Sequence, residues 1–270
     1  MTPSFIYGTA WKKDATTELV KTAVKAGFKA IDTANQAKHY SEALVGEALA
    51  ALARDGVSRH SLWLQTKFTS LDGQDERLPY DPKADLTTQV NQSFESSLKH
   101  LGTDRIDSYL LHGPHSFPGL VEEDWEVWGA MEEIQRSGRA GVIGISNVNH
   151  LQLAELVEKA TIKPMMVQNR CYANRGWDRE VRALCRKHGI TYQGFSLLTA
   201  NVPVLHHPPV ISIARRLGVD TMQVIFRFAM QVGMVPLTGT TDEQHMKEDL
   251  GVLGIELTAE EVSFIESVAG

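Results

Sequence analysis

Short apolar runs and longer amphipathic runs alternate eight times along this chain, and few folds accept that order. The runs Phe5–Ala10, Lys29–Ala34, Leu62–Phe68, Arg105–Gly113, Ala140–Asn147, Met165–Arg170, Thr191–Leu198 and Met234–Gly239 are short and largely apolar. Strands buried on both faces read this way. Helical periodicity fills the gaps at Thr16–Gly27, Ser41–Arg54, Asp85–Leu101, Asp124–Ser137, Asn149–Lys159, Asp178–Lys187, Pro209–Leu217 and Thr221–Gln231. Shorter helices at Glu243–Leu250 and Ala259–Val268 close the chain. Strand followed by helix, repeated, predicts a parallel sheet covered by helices. Eight such units in 270 residues predict a closed (β/α)8 TIM barrel, one α/β domain over residues 1–270. The alternative is an open doubly wound sheet, but no G-x-G-x-x-G follows the first strand. Gly141 and Gly144 lie inside a strand, so they read as sites of close packing or barrel geometry.

Composition narrows the class. Hydrophobic residues are 43% of the chain, enough for a core, yet no apolar run nears the ~18 residues of a membrane span. The N-terminus has no basic stretch followed by an apolar core, so no signal peptide is expected. Two cysteines, Cys171 and Cys185, fit a reduced cytoplasmic protein with free thiols; a disulfide is the alternative. Basic side chains number 27 and acidic ones 33, a net charge of −6, which argues against a nucleic-acid partner. No linker or low-complexity tract divides the chain.

Chemistry concentrates at predicted strand ends. In such barrels the working face is the C-terminal end of the strands. Asp32, Lys67 and His112 fall at the ends of strands two, three and four, and Tyr40 follows eight residues after Asp32. A phenol beside an ammonium, a carboxylate to hold that ammonium and an imidazole to orient a carbonyl make a proton-donating site for carbonyl reduction. A free phenol keeps its proton to a pKa of about 10, and a nearby cation lowers that value. Ser146, Asn147, Gln168, Asn169, Phe195 and Ser196 end strands five to seven and converge on the same mouth. Each residue also has a plain reading: Asp32 as a helix cap, Lys67 as a strand-end charge, His112 as a satisfied core histidine. Jointly these weaken, because a charge late in an apolar strand is costly to bury unless paired. A metal-dependent hydrolase is a rival, but the chain has no H-E-x-x-H and no strand His-x-His. The His206–His207 pair beside Pro208 and Pro209 reads as surface.

These stretches together resemble the aldo-keto reductases over nearly the whole chain. GTAWK (Gly8–Lys12), IDTA followed by YSEALVG (Tyr40–Gly46), the segment around Lys67, LLHG around His112, GISNV (Gly144–Val148) and VQNR (Val167–Arg170) occur in the family's order and spacing. The resemblance implies an NAD(P)H-dependent oxidoreductase that reduces an aldehyde or ketone to an alcohol, acting as a monomer on a small-molecule carbonyl substrate. It implies Tyr40 as the acid, Lys67 lowering its pKa, Asp32 pairing with Lys67, and His112 orienting the carbonyl. It also implies Ser146, Asn147 and Gln168 on the nicotinamide carboxamide, Phe195 stacked on that ring, and Ser196 and Leu198 along the pyrophosphate. Thr238, Thr240 and His245 would serve the phosphate or ribose, and Glu248 and Asp249 the adenine.

The chain departs from the family pattern in three places. The Asp32–Tyr40 interval is three residues longer than usual. Leu237 or a neighbour stands where the family has a cation near the last strand, which brings NADH close as the alternative; the resemblance alone keeps NADPH as the expected cofactor. No hairpin precedes strand one and the C-terminal tail is short, which predicts an open pocket shaped by Trp11, Phe68, Tyr80 and Phe117. The rival of another class is a cofactor-binding regulatory protein on the same barrel with little turnover.

Overall fold

The structure is a computed structural model that describes residues 3–268. Eight parallel strands pair in chain order and close into a barrel: β1 (Ile6–Gly8), β2 (Ala30–Asp32), β3 (Trp63–Phe68), β4 (Ile106–Leu111), β5 (Ala140–Ser146), β6 (Met166–Arg170), β7 (Thr191–Phe195) and β8 (Met234–Thr238). The seam is β8 against β1, with Ile6 opposite Leu237 and Tyr7 opposite Thr238. Around the barrel run α1 (Thr16–Ala26), α2 (Glu42–Arg54), α3 (Leu86–Leu101), α4 (Glu122–Arg136), α5 (His150–Lys159) and α6 (Arg179–His188). They are followed by α7 (Val202–Leu205), α8 (Pro208–Leu217), α9 (Thr221–Gln231), α10 (Glu243–Gly251) and α11 (Ala259–Ser267). The strands are shorter than the apolar runs that announce them; in six of the eight the last residues of the run leave the ladder at the mouth, while β3 and β6 lose only their first residue. The four-residue α7 lies in a stretch with no helical periodicity to read. Among the described residues no helix is long and apolar enough to cross a membrane, and both cysteines are free and buried.

The helices form where the sequence can cap them. Asp85 precedes α3 and accepts from the Thr88 backbone N–H, and Gly102 ends that helix at φ 62°. Asn149 and Gln152 form a reciprocal cap on α5. The side chains of that cap also hold the β4–α4 loop: Asn149 donates to the Pro118 carbonyl, and Gln152 donates to that of Ser116. Gly46 in α2 exists for contact, since a Cβ there would lie 1.9 Å from the His100 carbonyl oxygen of α3. Gly144 has the same role between strands, where a Cβ would lie 2.3 Å from the Met166 oxygen.

Side chains alternate across each strand, and the two faces of the barrel differ in chemistry. The outward face packs against helices around Phe28, Phe94, Tyr109, Trp128, Trp177, Phe226 and Phe228, all buried. The inward face carries a buried polar cluster among a few apolar side chains such as Ile6 and Leu110. Gln65 of β3 donates to an Asp32 oxygen at 2.8 Å and to Gln193 at 2.7 Å, and accepts from Ser108 at 2.7 Å. Gln193 in turn donates to Gln65 at 3.0 Å. Buried amides and carboxylates survive here because they satisfy one another.

Candidate active site

The polar interior ends, at the mouth, in a charged pair. Lys67 Nζ donates to both Asp32 oxygens at 2.7 Å and to the Thr33 carbonyl at 2.8 Å. Its three protons are thereby committed, and the side chain is wholly buried. Gln168 donates to Asp32 at 3.1 Å and to Gln193 at 3.0 Å, both through Nε2. Its Oε1 is left for the pocket above. Asp32 thus holds an ammonium and two amides at a buried position.

Tyr40 reaches this pair in spite of the longer interval. The additional residues coil into one turn, with the His39 and Tyr40 N–H groups donating to the Gln36 carbonyl at 3.2 and 3.0 Å. Gln36 pins the turn by donating to the Gly73 carbonyl at 2.6 Å. The turn also braces the β1 loop: the Trp11 N–H donates to the His39 carbonyl at 2.7 Å, and the two rings lie 4.0 Å apart. Lys67 Nζ sits 5.2 Å from the centre of the Tyr40 ring.

The expectation that Lys67 lowers the Tyr40 pKa does not hold in this geometry. Burial pushes the phenol up, and the Asp32 charge pushes it further in the same direction. Asp32 neutralises the field of Lys67, so what reaches Tyr40 is desolvation rather than a bare cation. Burial also draws the Lys67 ammonium down, with Asp32 opposing.

His112 faces Tyr40 edge-on, with ring centres 6.0 Å apart. Burial is the main reason its pKa falls to about 3, and the positive Lys67 adds to it. The imidazole is therefore neutral at ordinary pH. Its Nδ1 lies 2.7 Å from the Thr69 hydroxyl, and its backbone N–H donates to the Phe68 carbonyl at 2.8 Å. The Thr69 carbonyl is held in turn by the Tyr80 hydroxyl at 2.8 Å and by Gln74 at 3.2 Å.

Above these groups lies a cavity of about 660 Å³. Tyr40, His112, Ser146, Gln168, Phe195, Ser196, Leu198, Thr238 and Thr240 line it, as does the exposed Trp11. Asn147 lies in an adjoining cleft and donates to the His112 carbonyl at 2.8 Å. Trp11, Asn147 and Ser196 adopt φ of 64°, 54° and 56°. Left-handed backbone at three non-glycine residues costs energy and gathers here at strand ends, as strain does at working sites.

Six expected residues fall elsewhere or short. Phe68 and Tyr80 do not shape the pocket. Phe68 shares the outward face of β3 with Thr66, whose hydroxyl donates to Glu42 of α2 at 2.5 Å. The alternation that turns Lys67 inward turns Phe68 into the core, 5.7 Å from the Tyr80 ring. His245, Glu248 and Asp249 sit on α10 outside the cavity lining, His245 exposed and Asp249 buried. Burial raises the Asp249 carboxyl to about 6. Phe117 is exposed and lines the adjoining cleft rather than the main cavity. Sequence reading passed over Thr69, His39, Gln65, Gln193 and Lys12. The glutamines at inward strand positions were a visible signal. Thr69 gave none, because its role depends on a loop folding back. Among the described residues, no group of three or more His, Cys, Asp or Glu side chains is placed to hold a metal.

This architecture, a polar mouth on a closed parallel barrel, defines a (β/α)8-barrel with its site at the strand C-termini. The family model described as "Aldo/keto reductase family" matches residues 5–202. The chain belongs to the aldo/keto reductase family, a family of oxidoreductases acting on carbonyl compounds. It is 32% identical over 252 residues to "Uncharacterized oxidoreductase YtbE" of Bacillus subtilis, covering 92% of this chain and 82% of that one. It is 29% identical to the "Glyoxal reductase" of the same organism, covering 93% and 83% of the two chains. A crystal structure of an aldo/keto reductase from Brucella melitensis superposes with a TM-score of 0.82 at 25% identity, covering 99% of this chain and 95% of that one.

Proposed function

We propose that the protein reduces an aldehyde or ketone to the alcohol with NADPH, NADH being the alternative, and that Tyr40 donates the proton. The observation that carries this reading is the pairing of Tyr40 with a neutral His112 over one cavity, with Lys67 and Asp32 beneath. The cavity fits a nicotinamide dinucleotide. Its lining runs from Tyr40 and His112 to Thr238, Gly239 and Thr240 at the end of β8, and Gln168 lies in it to meet a carboxamide. Ser146 and Asn147 flank that amide, and Phe195 presents a ring face for stacking. Thr238 and Thr240 would hold ribose or phosphate oxygens. Lys12 donates to the Gly239 carbonyl and so brings an ammonium to the β8 end, where position 237 has none. That ammonium supports NADPH as the first choice.

The bound cofactor would supply the hydride. The chain's own residues do the rest. The Thr69 hydroxyl donates to His112 Nδ1, which leaves the proton on Nε2, facing the cavity. Nε2–H and the Tyr40 hydroxyl then share one carbonyl oxygen and orient it. As negative charge grows on that oxygen, Tyr40 gives up its proton to it, while His112 Nε2–H holds the oxygen in place. Positioned proton transfer of this kind contributes about 10²–10⁴-fold, and oxyanion donors add to it.

The test is loss of absorbance of NADPH and, separately, NADH with a small aromatic aldehyde. Turnover that needs both protein and aldehyde is the expected result. Tight binding of either dinucleotide with no turnover across a panel of aldehydes and ketones would favour the regulatory reading instead.

A further inference from the structure

Beside the main cavity lies a second cleft of about 500 Å³, between the β4–α4 loop and the ends of β5, β6 and β7. Arg170 and Phe195 line both. The Arg170 guanidinium lies 5.7 Å over the Phe195 ring, and its Nη1 is 3.4 Å from the Tyr172 hydroxyl. Arg175 lies 5.0 Å over the Tyr172 ring on its own side. Both arginines are exposed, and among the described residues neither pairs with a carboxylate. The acid in the lining is Asp178, and it is otherwise engaged: it accepts from Asn169 and from the Tyr192 hydroxyl, each at 2.8 Å. A guanidinium laid on an aromatic face keeps its in-plane N–H fork free. Two such forks in a chain of net charge −6 make a local cationic rim against the general field. Exposed Phe117 closes the cleft on the side of the β4–α4 loop.

We infer that this cleft receives the anionic end of the substrate: the protein prefers carbonyl compounds that carry a carboxylate or phosphate, gripped by Arg170 with Arg175 behind it. This inference rests on the reductase reading and names its substrate class. Arg170 borders the same cavity as Tyr40 and His112, so one small molecule can present its carbonyl to that pair and its anion to the guanidinium. Charge-assisted, two-pronged hydrogen bonds are the strong ones at such a site.

The experiment compares 4-carboxybenzaldehyde with its neutral near-isostere 4-formylbenzamide, as kcat/KM, for the native protein, Arg170→Leu, Arg175→Leu and Arg170→Lys. The expected result is a native preference for the carboxylate of tenfold or more, carried mainly by KM. That ratio falls to near one in Arg170→Leu, falls partly in Arg175→Leu, and is partly kept in Arg170→Lys. A native ratio near one, or a preference that survives both leucine variants, overturns the inference. A third aldehyde, 4-formylphenyl phosphate, separates the sources: a still larger preference lost in Arg170→Leu assigns the site to phosphates. If the native protein turns over none of the aldehydes, the reductase reading is the part that fails. Calorimetric binding of terephthalate then decides the anion site alone. Binding lost in Arg170→Leu supports it, and binding equal in both proteins, or absent from both, overturns it.

Discussion

If His112 stays neutral as its surroundings dictate, acid should unfold this protein partly through that one side chain. Its folded pKa is about 3, against an ordinary value of 6.5. Above pH 6.5 the ring is neutral in both states and contributes no pH dependence. Below 6.5 the unfolded chain binds a proton there that the folded chain refuses, so stability falls as pH falls, until about pH 3. Each pH unit in that window costs about 1.36 kcal/mol. Between pH 6.5 and 4.5 the loss from this group is therefore ~2.7 kcal/mol. The variant His112→Asn removes the group and keeps a small polar side chain beside Thr69. Urea unfolding of both proteins at pH 7.5 and pH 4.5 gives the difference directly. The native protein should lose ~2.7 kcal/mol more than the variant over that interval. The other nine histidines are common to both proteins. Among them His115, raised by its hydrogen bond to Asp124, acts with the opposite sign and cancels in the comparison. A difference below about 0.5 kcal/mol would mean that the ring titrates normally. His112 would then be cationic in mild acid, and the argument for a neutral Nε2–H donor would fail.

Two further outcomes follow from the same geometry. Lys67→Met leaves the Asp32 carboxylate buried with only the Gln65 and Gln168 amides as partners, and should cost ~3–5 kcal/mol of stability by urea titration; a loss under 1 kcal/mol would show that the pair is not desolvated. Thr69→Val keeps the shape but removes the hydroxyl 2.7 Å from His112 Nδ1. It should lower kcat roughly tenfold, as loss of one positioned hydrogen bond does, with KM nearly unchanged, while Thr69→Ser stays close to native; equal loss in the serine variant would make Thr69 a packing residue.

The fold was written in the chain at the level of periodicity. Thr221–Gln231 occurs as its pattern predicts, and Asp85–Leu101 and Asn149–Lys159 differ by one residue, because a cap was counted as helix. Strand ends were less legible: Leu198 and Gly113 belong to apolar runs, but the ladder stops at Phe195 and Leu111. Strand pairing is set by neighbours that a linear reading does not see. For the site, Asp32, Lys67 and His112 were visible because charged and polar groups stood at the ends of apolar strands. Tyr40 was recoverable despite three additional residues, since these coil into a turn on Gln36. Phe68 was misplaced because the period of two was not applied across Lys67. The direction of the Tyr40 shift could not be read either, because it depends on how fully Asp32 absorbs the Lys67 charge.

The central claim is that Tyr40 gives the proton, and the direct measurement pairs NADPH binding with aldehyde turnover in the native protein and in Tyr40→Phe. Binding followed by fluorescence should stay near native, because on this account the phenol serves the carbonyl and not the dinucleotide, while kcat should fall by about 10²–10⁴-fold. Turnover within tenfold of native would place the acid elsewhere, and parallel loss of binding and turnover would make Tyr40 a structural side chain in a remodelled loop.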